Sequence, residues 1–261
     1  MTLERITSKI VQASNLMRTA ESTVALTGAG ISTPSGIPDF RSAGSGLWEL
    51  FNPMEVASLT AFRYNPEKFF EWARPLATTI LNAQPNSAHL ALAQLEKAGY
   101  LKGIITQNID NLHFRAGSQR VLEIHGHLRN ATCINCFRKV QITSQMEDFV
   151  HKEIIPRCES CGGIFKPDFV LFGEQLPFEV VKEARKWIQS STLILVLGSS
   201  LEVIPVAYYP IDALNAGARL IIINNEQTYL DERADIIFHE DIEDILPKLA
   251  AEVLDERTNG G

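Results

Sequence analysis

Val24-Ala25-Leu26-Thr27-Gly28-Ala29-Gly30-Ile31-Ser32 is the stretch on which the fold turns. A short apolar strand, Val24 to Thr27, runs straight into a glycine turn. Glycine lets the chain turn sharply and lets its backbone approach a ligand closely. A helix that follows such a turn aims its N–H groups at a pyrophosphate. The full dinucleotide fingerprint G-x-G-x-x-G is not met, because Thr33 holds the third glycine position. No acidic residue stands about twenty positions on to take the ribose. The turn therefore reads as a relative of the Rossmann turn, different from it in detail. Gly28-Ala29-Gly30 alone is equally compatible with a tight strand–helix turn that binds nothing.

Outward from this turn, strands and helices alternate. Ile6, Ile10, Ala13 and Leu16 have helical spacing over residues 4–20. Residues 44–98 read as mostly helical, with Pro66 in a first turn and a helix from Ser87 to Ala98 that Gly99 ends. Strands are expected near 101–106, 121–124, 169–172, 192–197 and 219–223, and helices near 179–190, 205–216 and 242–254. This alternation implies an α/β fold, a Rossmann-like parallel sheet with helices on both faces. Residues 1–43, 86–127 and 169–261 would form that domain, with 44–85 as a helical insertion. Residues 128–168 hold all four cysteines and little apolar periodicity, and read as a smaller inserted module of zinc-ribbon type.

The 261 residues, 45% of them hydrophobic, suffice for a core without disulfides. The formal net charge of −7 argues against non-specific nucleic-acid binding, which phosphate neutralisation drives. The start lacks the pattern of a signal peptide, no apolar run is long enough to span a bilayer, and no lipidation signal is evident. The protein reads as soluble and cytoplasmic.

Cys133-x-x-Cys136 and Cys158-x-x-Cys161 stand 21 residues apart. Two residues between thiolates let each pair chelate one ion, and four cysteine ligands close the tetrahedron against water. Such a zinc is structural. Two disulfides or a redox pair are the alternatives, but neither pair sits at a strand–helix junction of thioredoxin type.

Further strings fall in order along the chain. Gly36-Ile37-Pro38-Asp39-Phe40-Arg41 follows the glycine turn, Thr106-Gln107-Asn108-Ile109-Asp110 the second strand, and His125-Gly126 another strand. Phe172-Gly173-Glu174 comes after the cysteine module, then Gly198-Ser199-Ser200-Leu201, then Asn224 after Ile221-Ile222-Ile223. Together with the glycine turn and the paired cysteines, these closely resemble the sirtuin (Sir2) family of NAD-dependent protein deacylases, over about residues 10–250. The resemblance implies that Gly28, Ala29, Gly30 and Ser32, with Ile37, Asp39, Phe40 and Arg41, wrap the pyrophosphate and the nicotinamide ribose. Gln107 and Asn108 would meet the ribose and nearby water, and Ile109 and Asp110 the nicotinamide. Gly198, Ser199 and Ser200 would contact phosphate and ribose, Asn224 and Asn225 the adenosine ribose, and Asp241 and Ile242 the adenine. Val170, Phe172, Gly173 and Val203 would border an acetyl-lysine peptide added as a strand.

By the same resemblance NAD is consumed as a co-substrate. The amide oxygen of the acyl-lysine attacks the ribose carbon, nicotinamide departs, and an alkylamidate forms. His125, with Asn108 beside it, would then act as general base on a ribose hydroxyl. The products would be nicotinamide, O-acetyl-ADP-ribose and free lysine, making the enzyme a transferase of acyl groups to ADP-ribose. Family members that prefer succinyl or malonyl groups carry Tyr-x-x-Arg in the helix before Pro-Asn. The helix here, Phe69 to Thr79, lacks that pair, so a neutral acyl group is expected. Taken singly the residues keep plainer readings: Asp110 as a helix cap, Phe40 as core, Asn224 as a turn residue, His125 as a core histidine, His89 as structural. Mono-ADP-ribosyl transfer to protein and non-catalytic NAD sensing stay open as alternatives. A monomer suffices for this chemistry.

Overall fold

The computed structural model describes residues 3–39, 50–152 and 154–255. Its larger sheet comprises β1 (Thr23–Thr27), β2 (Gly103–Thr106), β3 (Val121–Glu123), β7 (Leu193–Leu197), β8 (Arg219–Ile223) and β9 (Ile236–Phe238). The strands lie in the order β3-β2-β1-β7-β8-β9, and every pair is parallel. Side chains alternate across this sheet as period-two geometry requires. Ala25, Ile104, Leu195 and Ile221 face one layer, and Val24, Leu26, Ile194, Val196, Leu220 and Ile222 face the other. Burial on both sides explains why these strands read as unbroken apolar runs. The first face carries α1 (Leu3–Thr19), α5 (Ser87–Lys97) and α10 (Ile242–Leu254). The second carries α8 (Phe178–Gln189) and α9 (Tyr209–Asn215). This is a Rossmann-like sheet covered on both faces.

Between β1 and β2 run α2 (Pro53–Val56), α3 (Leu59–Tyr64) and α4 (Pro66–Asn82). Three side-chain caps start them, Asn52, Ser58 and Asn65, each accepting a backbone N–H of the first turn. Between β2 and β3 lies the single turn α6 (Leu112–Arg115). The cysteine module holds a second, antiparallel sheet with order β5-β4-β6, made of β4 (Gly126–Cys133), β5 (Lys139–Gln141) and β6 (Phe165–Phe169), together with α7 (Thr143–Lys152). The module does not stand apart from the helical insertion. Phe62, Phe69, Phe70 and Trp72 share one cluster with Phe149 and Leu171, and Phe169 packs against it.

Three local expectations differ. The strand placed near 169–172 is Phe165–Phe169, on the edge of the small sheet, where Pro167 removes a donor that an interior strand needs. The helix after the glycine turn is two 3₁₀ turns, Ala29–Ile31 and Thr33–Ser35, ended by Gly36 at φ 86°. The helix expected over 205–216 opens as a 3₁₀ turn, Val206–Tyr208, before α9.

Candidate active site

Strand order reverses between β1 and β7, and open α/β sheets bind ligands in the crevice outside the carboxyl ends of the strands at such a switch point. The two turns that follow these strands are locked together. Gly28 N–H donates to Leu197 O (3.1 Å), Gly30 N–H to Gly198 O (2.9 Å), and Gly198 N–H to Ile223 O (2.9 Å). Gly198 sits at φ 58°, and a Cβ there would lie 2.3 Å from Ile31 N and 2.6 Å from Gly30 C. Only glycine fits. Gly198→Ala should therefore destabilise the fold by about 2–4 kcal/mol and abolish dinucleotide affinity. Thermal unfolding and NAD titration would check this; a variant with unchanged Tm and affinity would contradict it.

The crevice opens into a cavity of about 350 Å³. Gly28, Ala29, Gly30, Asp39, Gln107, Asn108, His125, Gly198, Ser199, Ser200, Val203, Asn224, Asn225, Asp241 and Ile242 line it, all expected from sequence. Phe40 and Arg41 lie outside the described residues. Ser32 and Asp110 are buried and do not line the cavity. Ile37 packs with Ile80 and Leu112. Ile109 lines a separate apolar cavity of about 50 Å³ between α4 and the cysteine module. Thr33, Pro34, Glu202 and Glu226 line the main cavity without having been singled out as binding residues. Thr33, Pro34 and Glu202 adjoin the glycine-turn and Gly198–Leu201 strings, and Glu226 is the acidic side chain two positions after Asn224.

The ring of His125 faces the carbonyl of Gln107, with Nδ1 at 3.1 Å from the oxygen. A carbonyl only accepts, so Nδ1 carries the proton and donates it. Nε2 is then the basic nitrogen of the neutral ring, on a side chain that lines the cavity. Gly126 makes this placement possible. At φ 75°, a Cβ on residue 126 would lie 2.2 Å from Asp168 O, so only glycine allows β4 to leave His125 so close to β6.

Gln107 and Asn108 are held by acceptors that fix their amides. Gln107 Nε2 donates to Ser199 Oγ (2.9 Å), and Asn108 Nδ2 donates to Gly28 O (3.0 Å) and Ser32 Oγ (3.1 Å). Ser32 in turn donates to Asp110 Oδ2 (2.7 Å), while Asp110 Oδ1 accepts the N–H of Leu112 (2.9 Å). Asp110 thus accepts the first N–H of α6 from the position before its N-cap, Asn111, and the other oxygen of the same carboxylate anchors the glycine-turn serine. Burial raises the Asp110 pKa, opposed by the Leu112 N–H and the Ser32 hydroxyl. Asn224 also serves its own turn, donating Nδ2 to Glu226 O (2.8 Å). His89 caps α5 with Asn86, and burial depresses its pKa to about 4. His113, with its ring 4.9 Å away, is driven down further by burial and by His89, so both rings are neutral at pH 7.

Val170, Phe172 and Gly173 are not among the residues that line this cavity. Val170 N–H donates to His125 O (2.8 Å), Phe172 N–H to Ala57 O (3.0 Å), and Leu59 N–H to Phe172 O (2.9 Å).

In the module the four cysteine sulfurs lie within 4.8 Å of one another. Cys133 and Cys161 are 3.5 Å apart, and Cys136 and Cys158 are 3.7 Å apart. A disulfide needs about 2.05 Å. A zinc tetrahedron with bonds of about 2.3 Å needs sulfurs about 3.8 Å apart, so the donor set fits one structural zinc.

Among the described residues no helix is long and apolar enough to cross a membrane. Residues 28–205 match the model of the Sir2 family. The chain is 45% identical over 231 residues, 88% of its length and 90% of the relative's, to NAD-dependent protein deacetylase 2 of Caldanaerobacter subterraneus subsp. tengcongensis. It superposes on a solved Sir2 enzyme with TM-score 0.88 and 42% identity, covering 94% of this chain and 98% of the other. It also superposes on a Sir2 variant bound to deacetylated p53 peptide and 3'-O-acetyl-ADP-ribose, with TM-score 0.87 and 36% identity, covering 92% and 97%. With this site, this sheet order and these relatives, the chain belongs to the Sir2 family.

Proposed function

We propose that this protein is an NAD-dependent protein-lysine deacetylase that releases nicotinamide, O-acetyl-ADP-ribose and free lysine. The observation that carries the reading is the ring of His125. Its proton sits on Nδ1 against Gln107 O, and its side chain lines the same cavity as the paired glycine turns. A base with an intrinsic pKa near the working pH beside a dinucleotide crevice is what activation of a ribose hydroxyl requires.

Each residue then has a part. The turns at Gly28–Gly30 and Gly198–Ser200 approach the pyrophosphate through backbone. Asn224, Asn225, Asp241 and Ile242 hold the adenosine end. Gln107 and Asn108, their amides fixed by Ser199, Gly28 and Ser32, orient the nicotinamide ribose. The family pattern gives Ile109 and Asp110 the nicotinamide, though their side chains do not line the main cavity, and gives Ser32, Ile37, Asp39, Phe40 and Arg41 the pyrophosphate and the nicotinamide ribose. Val170, Phe172, Gly173 and Val203 border the acyl-lysine peptide. The zinc of Cys133, Cys136, Cys158 and Cys161 is structural. Segments 44–85 and 128–168 serve as insertions that build the peptide side of the cleft. Four thiols spaced for metal and not for disulfides suit a reducing compartment, the cytoplasm. We take acetylated proteins as partners, neither nucleic acid nor membrane, and a monomer as sufficient.

Mass spectrometry of an acetyl-lysine peptide tests this. Loss of the acetyl group should require NAD and should yield nicotinamide and acetylated ADP-ribose in equal amounts. A succinyl-lysine peptide should react at least about 100-fold more slowly, since its carboxylate would enter an apolar region without a paired cation. Deacetylation without NAD, or nicotinamide release with ADP-ribose left on a protein acceptor, would overturn the reading.

A further inference from the structure

The turn Leu171–Glu174 is tethered more heavily than a four-residue surface turn needs. Its main chain closes on itself, Glu174 N–H donating to Leu171 O (3.0 Å), with Gly173 at φ 86°. The Glu174 carboxylate reaches back and accepts the N–H of Leu171 at Oε2 (2.8 Å). The same oxygen pairs with Lys166 Nζ at 3.0 Å. Lys166 stands on β6, and its ammonium also donates to Phe169 O (2.8 Å) and Pro167 O (3.0 Å). Three acceptors match its three N–H groups. The pair is largely withdrawn from water, with side-chain exposures of 15% and 22%, so salt screens it less than a surface pair.

The segment held this way is bonded to three separate parts of the chain. Val170 bonds to the backbone of His125, Phe172 to Ala57 and Leu59 of the helical insertion, and Lys166 ties Glu174 to the sheet of the zinc module. A peptide that binds as an added strand gains affinity when the receiving backbone is already set, because less ordering entropy is lost on binding.

We propose that Lys166 is a positioning residue for the acyl-lysine peptide, fixing through Glu174 the turn against which the peptide lies. The inference rests on the deacetylase reading above, in which that turn borders the peptide. Steady-state kinetics of the zinc-loaded protein test it, with peptide and NAD varied separately. Lys166→Met should raise KM for the peptide about tenfold, the scale of one charge-assisted contact, and move KM for NAD less than about twofold. Lys166→Arg should recover most of the loss, because it keeps the charge. Glu174→Gln should reproduce the peptide effect, and it carries the test alone should Lys166→Met not fold. A peptide KM within about twofold of wild type in these variants, or a parallel rise in KM for NAD, would overturn the proposal. A wild-type protein without NAD-dependent deacetylation would instead overturn the deacetylase reading, and this inference with it.

Discussion

His125→Ala should lower turnover about 10²–10⁴-fold, the range of a lost general base, and change NAD affinity by less than about threefold. The ring's Nδ1 donates to Gln107 O, and the cavity walls on either side belong to other elements. Ala29 and Gly30 follow β1, Ser199 and Ser200 follow β7, and Asn224 follows β8. These strands pair with one another, not with the segment that carries His125. Removing the imidazole therefore leaves the dinucleotide crevice standing. His125→Gln should be no better than alanine, since an amide retains shape and hydrogen bonding but is no base. Single-turnover deacetylation and NAD titration would separate the two effects. Equal losses of affinity and rate would make His125 a binding residue, whereas a sensor of NAD would release no nicotinamide in either form.

Zinc should be present at about one per chain, and its removal should unfold the module before the larger sheet. Structural zinc sites draw roughly 10–16 kcal/mol from metal binding in isolated peptides, and that energy is folding energy. Cys133 and Cys158 are buried in a small cluster with Ala131, Ile142 and Phe165, too few apolar groups to hold a three-stranded sheet alone. Chelation, or Cys158→Ser, should lower Tm by roughly 10 °C or more. Activity on peptide should fall with it, because Phe149 and Leu171, which begins the turn proposed to border the peptide, share one cluster with Phe62, Phe69, Phe70 and Trp72. NAD binding should suffer less, since its residues come from the parallel sheet. Metal analysis with circular dichroism would follow both. A metal-free protein with unchanged Tm and full activity would contradict the assignment.

Where local chemistry decided the outcome, the sequence was readable. The β1 run and Gly28-Ala29-Gly30 announce a strand meeting a tight glycine turn, and two C-x-x-C pairs announce one cluster of four sulfurs. Long-range arrangement was less readable. Nothing in Val24–Thr27 says that its neighbour is Leu193–Leu197 and not only the nearer Gly103–Thr106. The helix expected after the glycine turn was lost to Pro34 and Gly36, which favour short 3₁₀ turns. The strand at 165–169 was misplaced because residues 170–172 also bond to neighbouring backbone, in isolated contacts that sequence periodicity does not distinguish from a ladder. Ile109 and Ile37 belong to family strings yet pack away from the main cavity, a matter of side-chain direction that no motif encodes.

The central claim is one of distance: an imidazole beside a sugar hydroxyl next to an acylated lysine. A crystal structure with an acetyl-lysine peptide and an unreactive NAD analogue tests it most directly. The account predicts Nε2 of His125 within about 3.2 Å of a hydroxyl of the nicotinamide ribose, directly or through one water. A ring turned away from that ribose, or a dinucleotide seated elsewhere than against Gly28–Gly30 and Gly198–Ser200, would contradict it.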